Sequence, residues 1–260
     1  MKVSRTLSVL SGSTIKIIAC ILMAVDHIGL VIFPKIWIFR AIGRLAFPIF
    51  AYFIAEGCRY TRHKQRHFFG IFTVGMIYLI FYYLYTGTLF CSIFLTFSVS
   101  ILFIYLIQFL KKWCCSEFKA YKPLLSALAF MLALGAAYFL FSSVSFDYGF
   151  FGMLAPVAVS IFDFEGIEQP PVIARLGCKP VKLLLLAVSL IPLCLDNKHG
   201  VIPLPEFSLP IQYLCLLAIP ILCLYNGKAG NKRLKYAFYI FYPLHLALIE
   251  AVAMIISVFK

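Results

Sequence analysis

Apolar residues run in long unbroken stretches along this chain, separated by short polar segments. The stretches predict spans near 15–33, 36–58, 68–85, 89–110, 123–141, 148–163, 181–195, 207–225 and 236–257. A buried helix of a soluble protein is seldom apolar on every side for so long. The in–out alternation that marks the strands of an outer-membrane barrel is missing. The predicted fold class is therefore all-α, a polytopic integral membrane helical bundle of about nine transmembrane helices. The sixth and seventh segments are short against the roughly 20 residues that cross a bilayer as helix. The seventh also holds Pro192. These two are expected to tilt, to thin the bilayer or to be partly re-entrant. No Pro- or Ser-rich linker and no internal repeat divides the chain, so 1–260 is read as one transmembrane domain.

The polar segments alternate in charge. Arg59, Arg62, Lys64 and Arg66 follow the second span, and Lys111, Lys112, Lys119 and Lys122 follow the fourth. Arg175, Lys179 and Lys182 precede the seventh, and Lys228, Lys232, Arg233 and Lys235 precede the ninth. The intervening turns hold almost no cations: Lys35, none at 86–88, none at 142–147, then Lys198. Cytoplasmic loops are the basic ones, so the N-terminus is expected inside and the C-terminus outside a bacterial inner membrane. Composition agrees with a membrane protein, being 63% hydrophobic and 13% charged. A formal net charge of +13 would suggest nucleic acid in a soluble protein. Here the loop cations explain it, so no nucleic-acid partner is expected, and membrane lipid is. The nine cysteines lie mainly inside spans without regular C-x-x-C spacing and are read as small apolar fillers, with no metal site. Lys2 and Arg5 ahead of an apolar run resemble a signal peptide. A small-residue cleavage site is lacking, and Asp26-His27 interrupts the run, so an uncleaved first span is expected.

Charge inside a span costs roughly 2.5–3.5 kcal/mol on insertion scales and needs a reason. The candidates are Asp26, His27, Arg40, Arg44 and Glu56, with Lys16 at the inner start of span one and His245 in span nine. Lys16 and His27 are three helical turns apart on nearly one face, about 16 Å along the axis, with Cys20 and Met23 between them. Folding spans one and two as a hairpin at Pro34-Lys35 brings His27 level with Arg40 and Arg44, which share a face. Asp26 and His27 are helix neighbours and do not face each other, so Asp26 is expected to pair with an arginine of span two.

Each residue has a plain alternative. An Asp26–Arg44 pair can be structural glue between helices. Arg40 can snorkel outward, and Lys16 can be an ordinary flanking cation. Glu56 can pair with Arg59 or another cytoplasmic cation. His27 is favoured as functional because an imidazole suits proton transfer near neutrality. His245 follows Tyr242-Pro243, where a helix-kink or hydrogen-bonding role is expected, and nothing in the spacing aligns it with the Lys16–His27 stripe.

The segment Ile15–Gly29 (IKIIACILMAVDHIG), followed by Ile42–Gly57 (IGRLAFPIFAYFIAEG), resembles the TraX family. Tyr236–Leu246 (YAFYIFYPLHL) after Asn226–Gly230 (NGKAG) resembles its C-terminal region, and Asp147–Leu154 (DYGFFGML) resembles a further segment. The resemblance implies N-terminal acetylation of conjugative pilin. It also implies a distant relation to transmembrane acyltransferases that use cytoplasmic acyl-CoA. Those enzymes carry Arg or Lys, ten residues, then His in the first span, which Lys16 and His27 match. The implied function is a membrane acyltransferase moving acetyl from cytoplasmic acetyl-CoA to an outer-side acceptor such as pilin. His27 is the expected general base. Arg40 and Arg44 are expected to stabilise an oxyanion or position Asp26, and Lys16 to hold coenzyme A phosphates. Two other readings stay open. One is a transporter or channel whose polar path is lined by Asp26, His27, Arg44 and His245. The other is a non-enzymatic assembly factor of a conjugation or secretion system.

Overall fold

The computed structural model describes residues 9–116, 119–164, 175–195, 201–203, 208–231 and 234–258. Lys2, Arg5, Lys198, Lys232 and Arg233, which entered the reading of topology, lie outside the described residues. Each of the nine predicted segments contains helix. Among the described residues, six helices are long and apolar enough to cross a membrane: Gly12–Val31, Trp37–Tyr60 taken across a break, Lys64–Thr86, Ile93–Ser116, Tyr121–Ser143 and Ala237–Ile256. The other three segments are shorter. Gly149–Ser160 has 12 residues, about 18 Å of helix, and Lys179–Cys194 has 16, about 24 Å. The eighth segment is a 3₁₀ turn, Ile211–Leu217, running into the helix Ala218–Cys223. Among the described residues six helices are thus of spanning length, the count of about nine transmembrane helices is not borne out, and the chain is a multi-pass membrane protein.

In chain order the helices are α1 (Gly12–Val31), α2 (Trp37–Gly43), α3 (Ala46–Tyr60), α4 (Lys64–Thr86), α5 (Ile93–Ser116), α6 (Tyr121–Ser143), α7 (Gly149–Ser160), α8 (Lys179–Cys194), α9 (Ala218–Cys223) and α10 (Leu234–Val258). They divide into two compact units, residues 1–50 with 190–260, and residues 51–189.

In the first unit α1 packs on α2 and on α10. The orphan N–H groups at the start of α1 are capped by a distant loop rather than by water. Gly12 N–H donates to the Lys228 carbonyl (2.8 Å) and Ser13 N–H to the Ala229 carbonyl (3.0 Å). Ser11 Oγ accepts from Thr14 N–H, and Ser13 Oγ accepts from Asn231 N–H (3.1 Å). Gly230 has φ +78°, and a Cβ there would strike the Ser11 and Ser13 hydroxyls. The loop 226–230 therefore closes over α1 only with glycine at that position. A short antiparallel pair, Val201–Pro203 with Ser208–Pro210, precedes the 3₁₀ turn.

The second predicted span is not one straight helix, which corrects the unbroken 36–58 reading. It breaks at Arg44-Leu45, between α2 and α3. Pro48 lacks the N–H that would bond the Arg44 carbonyl, so the ladder fails there, and proline is tolerated in the first turn of the new helix α3.

In the second unit α5 is central, packing on α4, α6 and α7, with Ile101 and Ile104 fully buried. Hydroxyls join α5 to the α7 segment: Thr96 Oγ1 donates to the Asp147 carbonyl and Ser100 Oγ to the Met153 carbonyl, both at 2.8 Å. At one end Phe90–Cys91 pairs in parallel with Ser145–Phe146. By contrast α4 and α6 are barely covered, and Leu132 and Phe139 on α6 are 75% and 73% exposed. Apolar surface of that extent is stable against lipid and not against water.

Candidate functional site

Asp26 faces α2, as the sequence predicts. Arg44 Nη2 donates to both carboxylate oxygens, each at 2.8 Å, and Arg40 Nη1 donates to Oδ2. Arg40 does not snorkel away from the carboxylate; it is the second arm of a clamp. The approach depends on Gly43, because a Cβ at that position would collide with the Asp26 carboxylate. Arg44 is 3% exposed, sits at the α2–α3 break, and points Nη1 to Gln212 Oε1 at 3.5 Å. Gln212, in the 3₁₀ turn, is fully buried, and its Nε2 has no hydrogen-bond partner among the described residues. Sequence reasoning passed over Gln212, since a neutral amide in an apolar run gives no charge signal.

His27, the next residue, turns to a different face. Its Nδ1 lies 2.9 Å from the Met23 carbonyl one turn back. The same Nδ1 lies 3.3 Å from Nε2 of His245 on α10, with the two rings edge to face and 5.0 Å apart. This corrects the view of His245 as unaligned with the first span. Two residues 218 positions apart in sequence are in contact because α10 packs on α1. His245 is held by its own Phe241 carbonyl (2.8 Å from Nδ1) and stacks on the Phe241 ring. Asp26 and His27 thus take different hydrogen-bond partners, while Asp26, Arg40 and Arg44 all lie close enough to act on His27 electrostatically. The carboxylate is clamped by α2, while the imidazole is paired with α10. Lys16 lies eleven residues before His27 on α1, half-buried, so the two remain on one helix about 16 Å apart.

A second polar cluster lies within the second unit. Lys182 Nζ bonds Glu56 Oε1 (2.8 Å) and Asp163 Oδ1 (2.9 Å), and all three residues are buried. Arg59 adds longer contacts to the same carboxylates. Lys111 Nζ bonds the Asp163 carbonyl (3.0 Å), Lys64 Nζ bonds Gln108 Oε1 (2.7 Å), and His67 Nδ1 lies 3.1 Å from the Tyr105 hydroxyl. The Glu56–Arg59 pairing was legible in the sequence. The Lys182 bridge was not, because a cation at the edge of a span reads as a loop marker. Among the described residues no group of His, Cys, Asp and Glu is placed to hold a metal ion.

A helical membrane protein with a clamped carboxylate and an imidazole pair in its first and last long spans is the class these features define. The family model described as "TraX protein" matches residues 11–253, and the chain belongs to the TraX family. It is 26% identical, over 95% of its length and 97% of the relative's, to a Dichelobacter nodosus protein described as "Probable fimbrial assembly protein FimC, serogroup H1". An uncharacterized protein of Rickettsia prowazekii (strain Madrid E) is 42% identical over 20% of this chain and 21% of its own. No solved structure matches.

Proposed function

We propose that this protein is a membrane-embedded acyltransferase that moves acetyl from cytoplasmic acetyl-CoA to an amine of a surface-fibre subunit on the outer side. The observation that carries the reading is His27. A carbonyl can only accept, so the 2.9 Å contact with Met23 places a proton on Nδ1 and leaves Nε2 of the neutral ring as a lone pair. No hydrogen-bond partner holds that Nε2 among the described residues. A base in a span, with its lone pair uncommitted, suits removal of a proton from an acceptor amine.

The reaction balances with this one base. The acceptor nitrogen attacks the thioester carbonyl carbon, the C–N bond forms, and its proton passes to His27 Nε2. The C–S bond then breaks, and the thiolate of coenzyme A takes the proton from His27. Arg40 and Arg44 hold Asp26 and set positive charge on the neighbouring face of α1. Lys16 attracts the donor's phosphates from the inner surface. The FimC relative and the family's link to pilin motivate a fimbrial or pilin acceptor. Within the second unit, Arg59, Lys64, Lys111 and Lys182 gather at one end, which supports the cytoplasmic assignment of those loops.

The test supplies purified protein with labelled acetyl-CoA and host membranes. Label transferred to a membrane or surface subunit is expected. No labelled acceptor, together with transport of an unmodified solute, would replace this reading by the transporter one. For topology, a periplasm-active reporter fused after Lys260 is expected to be active and one after Arg66 silent; the reverse would overturn the orientation.

A further inference from the structure

The two histidines constrain each other's protons. Nδ1 of His245 is 2.8 Å from the Phe241 carbonyl, and Nδ1 of His27 is 2.9 Å from the Met23 carbonyl. Each Nδ1 therefore carries the hydrogen, and in a neutral pair each Nε2 is bare. His245 Nε2 then faces His27 Nδ1 at 3.3 Å as an acceptor, and the His27 N–H is shared between it and the Met23 carbonyl. The alternative, His245 Nε2–H donating to His27 Nδ1, would leave two acceptors, Met23 O and His27 Nδ1, facing each other at 2.9 Å. It would also leave His245 Nδ1 bare against the Phe241 carbonyl.

We propose that His245 is the positioning residue of His27: its bare Nε2 locks His27 in the Nδ1–H form and shares the charge when His27 takes a proton. This rests on the reading of His27 as the general base. When His27 Nε2 gains the acceptor's proton, the ring becomes a cation with two N–H groups. A hydrogen bond from a charged donor is stronger than from a neutral one, so the Nδ1–H···Nε2 contact tightens as the charge develops. The proton stays on His27 Nδ1, because handing it to His245 would set a bare Nδ1 against the Met23 carbonyl. Phe241 fixes the acceptor ring by stacking at 4.8 Å, and Tyr242 packs edge-on at 5.7 Å. The role is thus the one an orienting carboxylate plays beside other catalytic imidazoles, filled here by a second imidazole. Asp26, the nearest carboxylate, is committed to Arg40 and Arg44.

The experiment uses the full chain in lipid nanodiscs with ¹⁵N-labelled histidine, the five histidines assigned by single substitutions. His27 and His245 are both expected as Nδ1–H tautomers, whereas imidazole in water favours Nε2–H. His245→Ala is expected to move the His27 Nδ1 resonance and to lower kcat about tenfold to a hundredfold with KM for acetyl-CoA unchanged. His245→Gln, whose amide oxygen can still accept near the Nε2 position, is expected to recover most of kcat. An Nε2–H tautomer on His245, or unchanged kcat in His245→Ala where His27→Ala is inactive, would overturn the inference alone, whereas an Nε2–H tautomer on His27 would overturn it together with the reading of His27 Nε2 as the base. Full activity in His27→Ala would instead overturn the reading beneath it. The resonance measurement decides the tautomers with no turnover needed.

Discussion

The two polar clusters are built from the same kinds of side chain and close differently. In the second unit Glu56 and Asp163 meet Lys182 and Arg59, two negative charges against two positive, with each carboxylate contacted by Lys182 at 2.8–2.9 Å. In the first unit one carboxylate meets two guanidiniums, and the adjacent imidazole keeps one nitrogen without a partner among the described residues. A balanced, buried cluster holds helices in register and offers nothing to a reactant. An unbalanced one beside an open lone pair costs more to maintain in a bilayer, which is where function is expected. Charge inside a span marks a candidate; how completely that charge is satisfied separates joinery from chemistry.

The comparison can be broken by variants in either unit. Lys182→Met leaves two buried carboxylates with only the longer Arg59 contacts and is expected to cost about 3–5 kcal/mol of stability, read as earlier thermal unfolding in detergent. Acetyl transfer per folded molecule should be unchanged; a selective loss of transfer at full stability would make this cluster catalytic. Lys16→Ala is expected to weaken acetyl-CoA binding by about 1.5–3 kcal/mol, with Lys16→Arg retaining most of it. Equal affinity in Lys16→Ala would reduce Lys16 to a topology marker. Gly43→Ala pushes a methyl into the Asp26 clamp and is expected to cost about 1–3 kcal/mol, seen as a lower unfolding temperature. A neutral result there would mean the α1–α2 approach is looser than the clamp requires.

Much of this was legible in the sequence, and the exceptions have physical causes. Apolar run length placed all nine helical segments, because backbone polar groups in lipid must be satisfied within the helix. It did not give their lengths: the eighth segment starts after Pro210 and carries Pro220 inside its helix, so it is a 3₁₀ turn of 7 residues followed by 6 residues of α-helix. The Asp26–arginine contact was readable because opposite charges in adjacent apolar runs joined by the Pro34-Lys35 turn have few other partners. The His27–His245 contact was not, since pairing between the first and last long helices is set by packing that no local spacing encodes. The motif 226–230 was visible as a pattern, but its physical task, capping the bare N–H groups of α1, needed the fold.

The central claim is that His27 supplies the base for acyl transfer, and the direct measurement is acetyl incorporation by His27→Ala at matched levels of membrane-inserted protein. General-base assistance is worth about 10²–10⁴-fold, and alanine is easier to place in a span than histidine, so a loss of that size with normal insertion is expected. His27→Gln should fail nearly as badly, because an amide hydrogen-bonds but does not take the proton. Wild-type incorporation by His27→Ala would contradict the account.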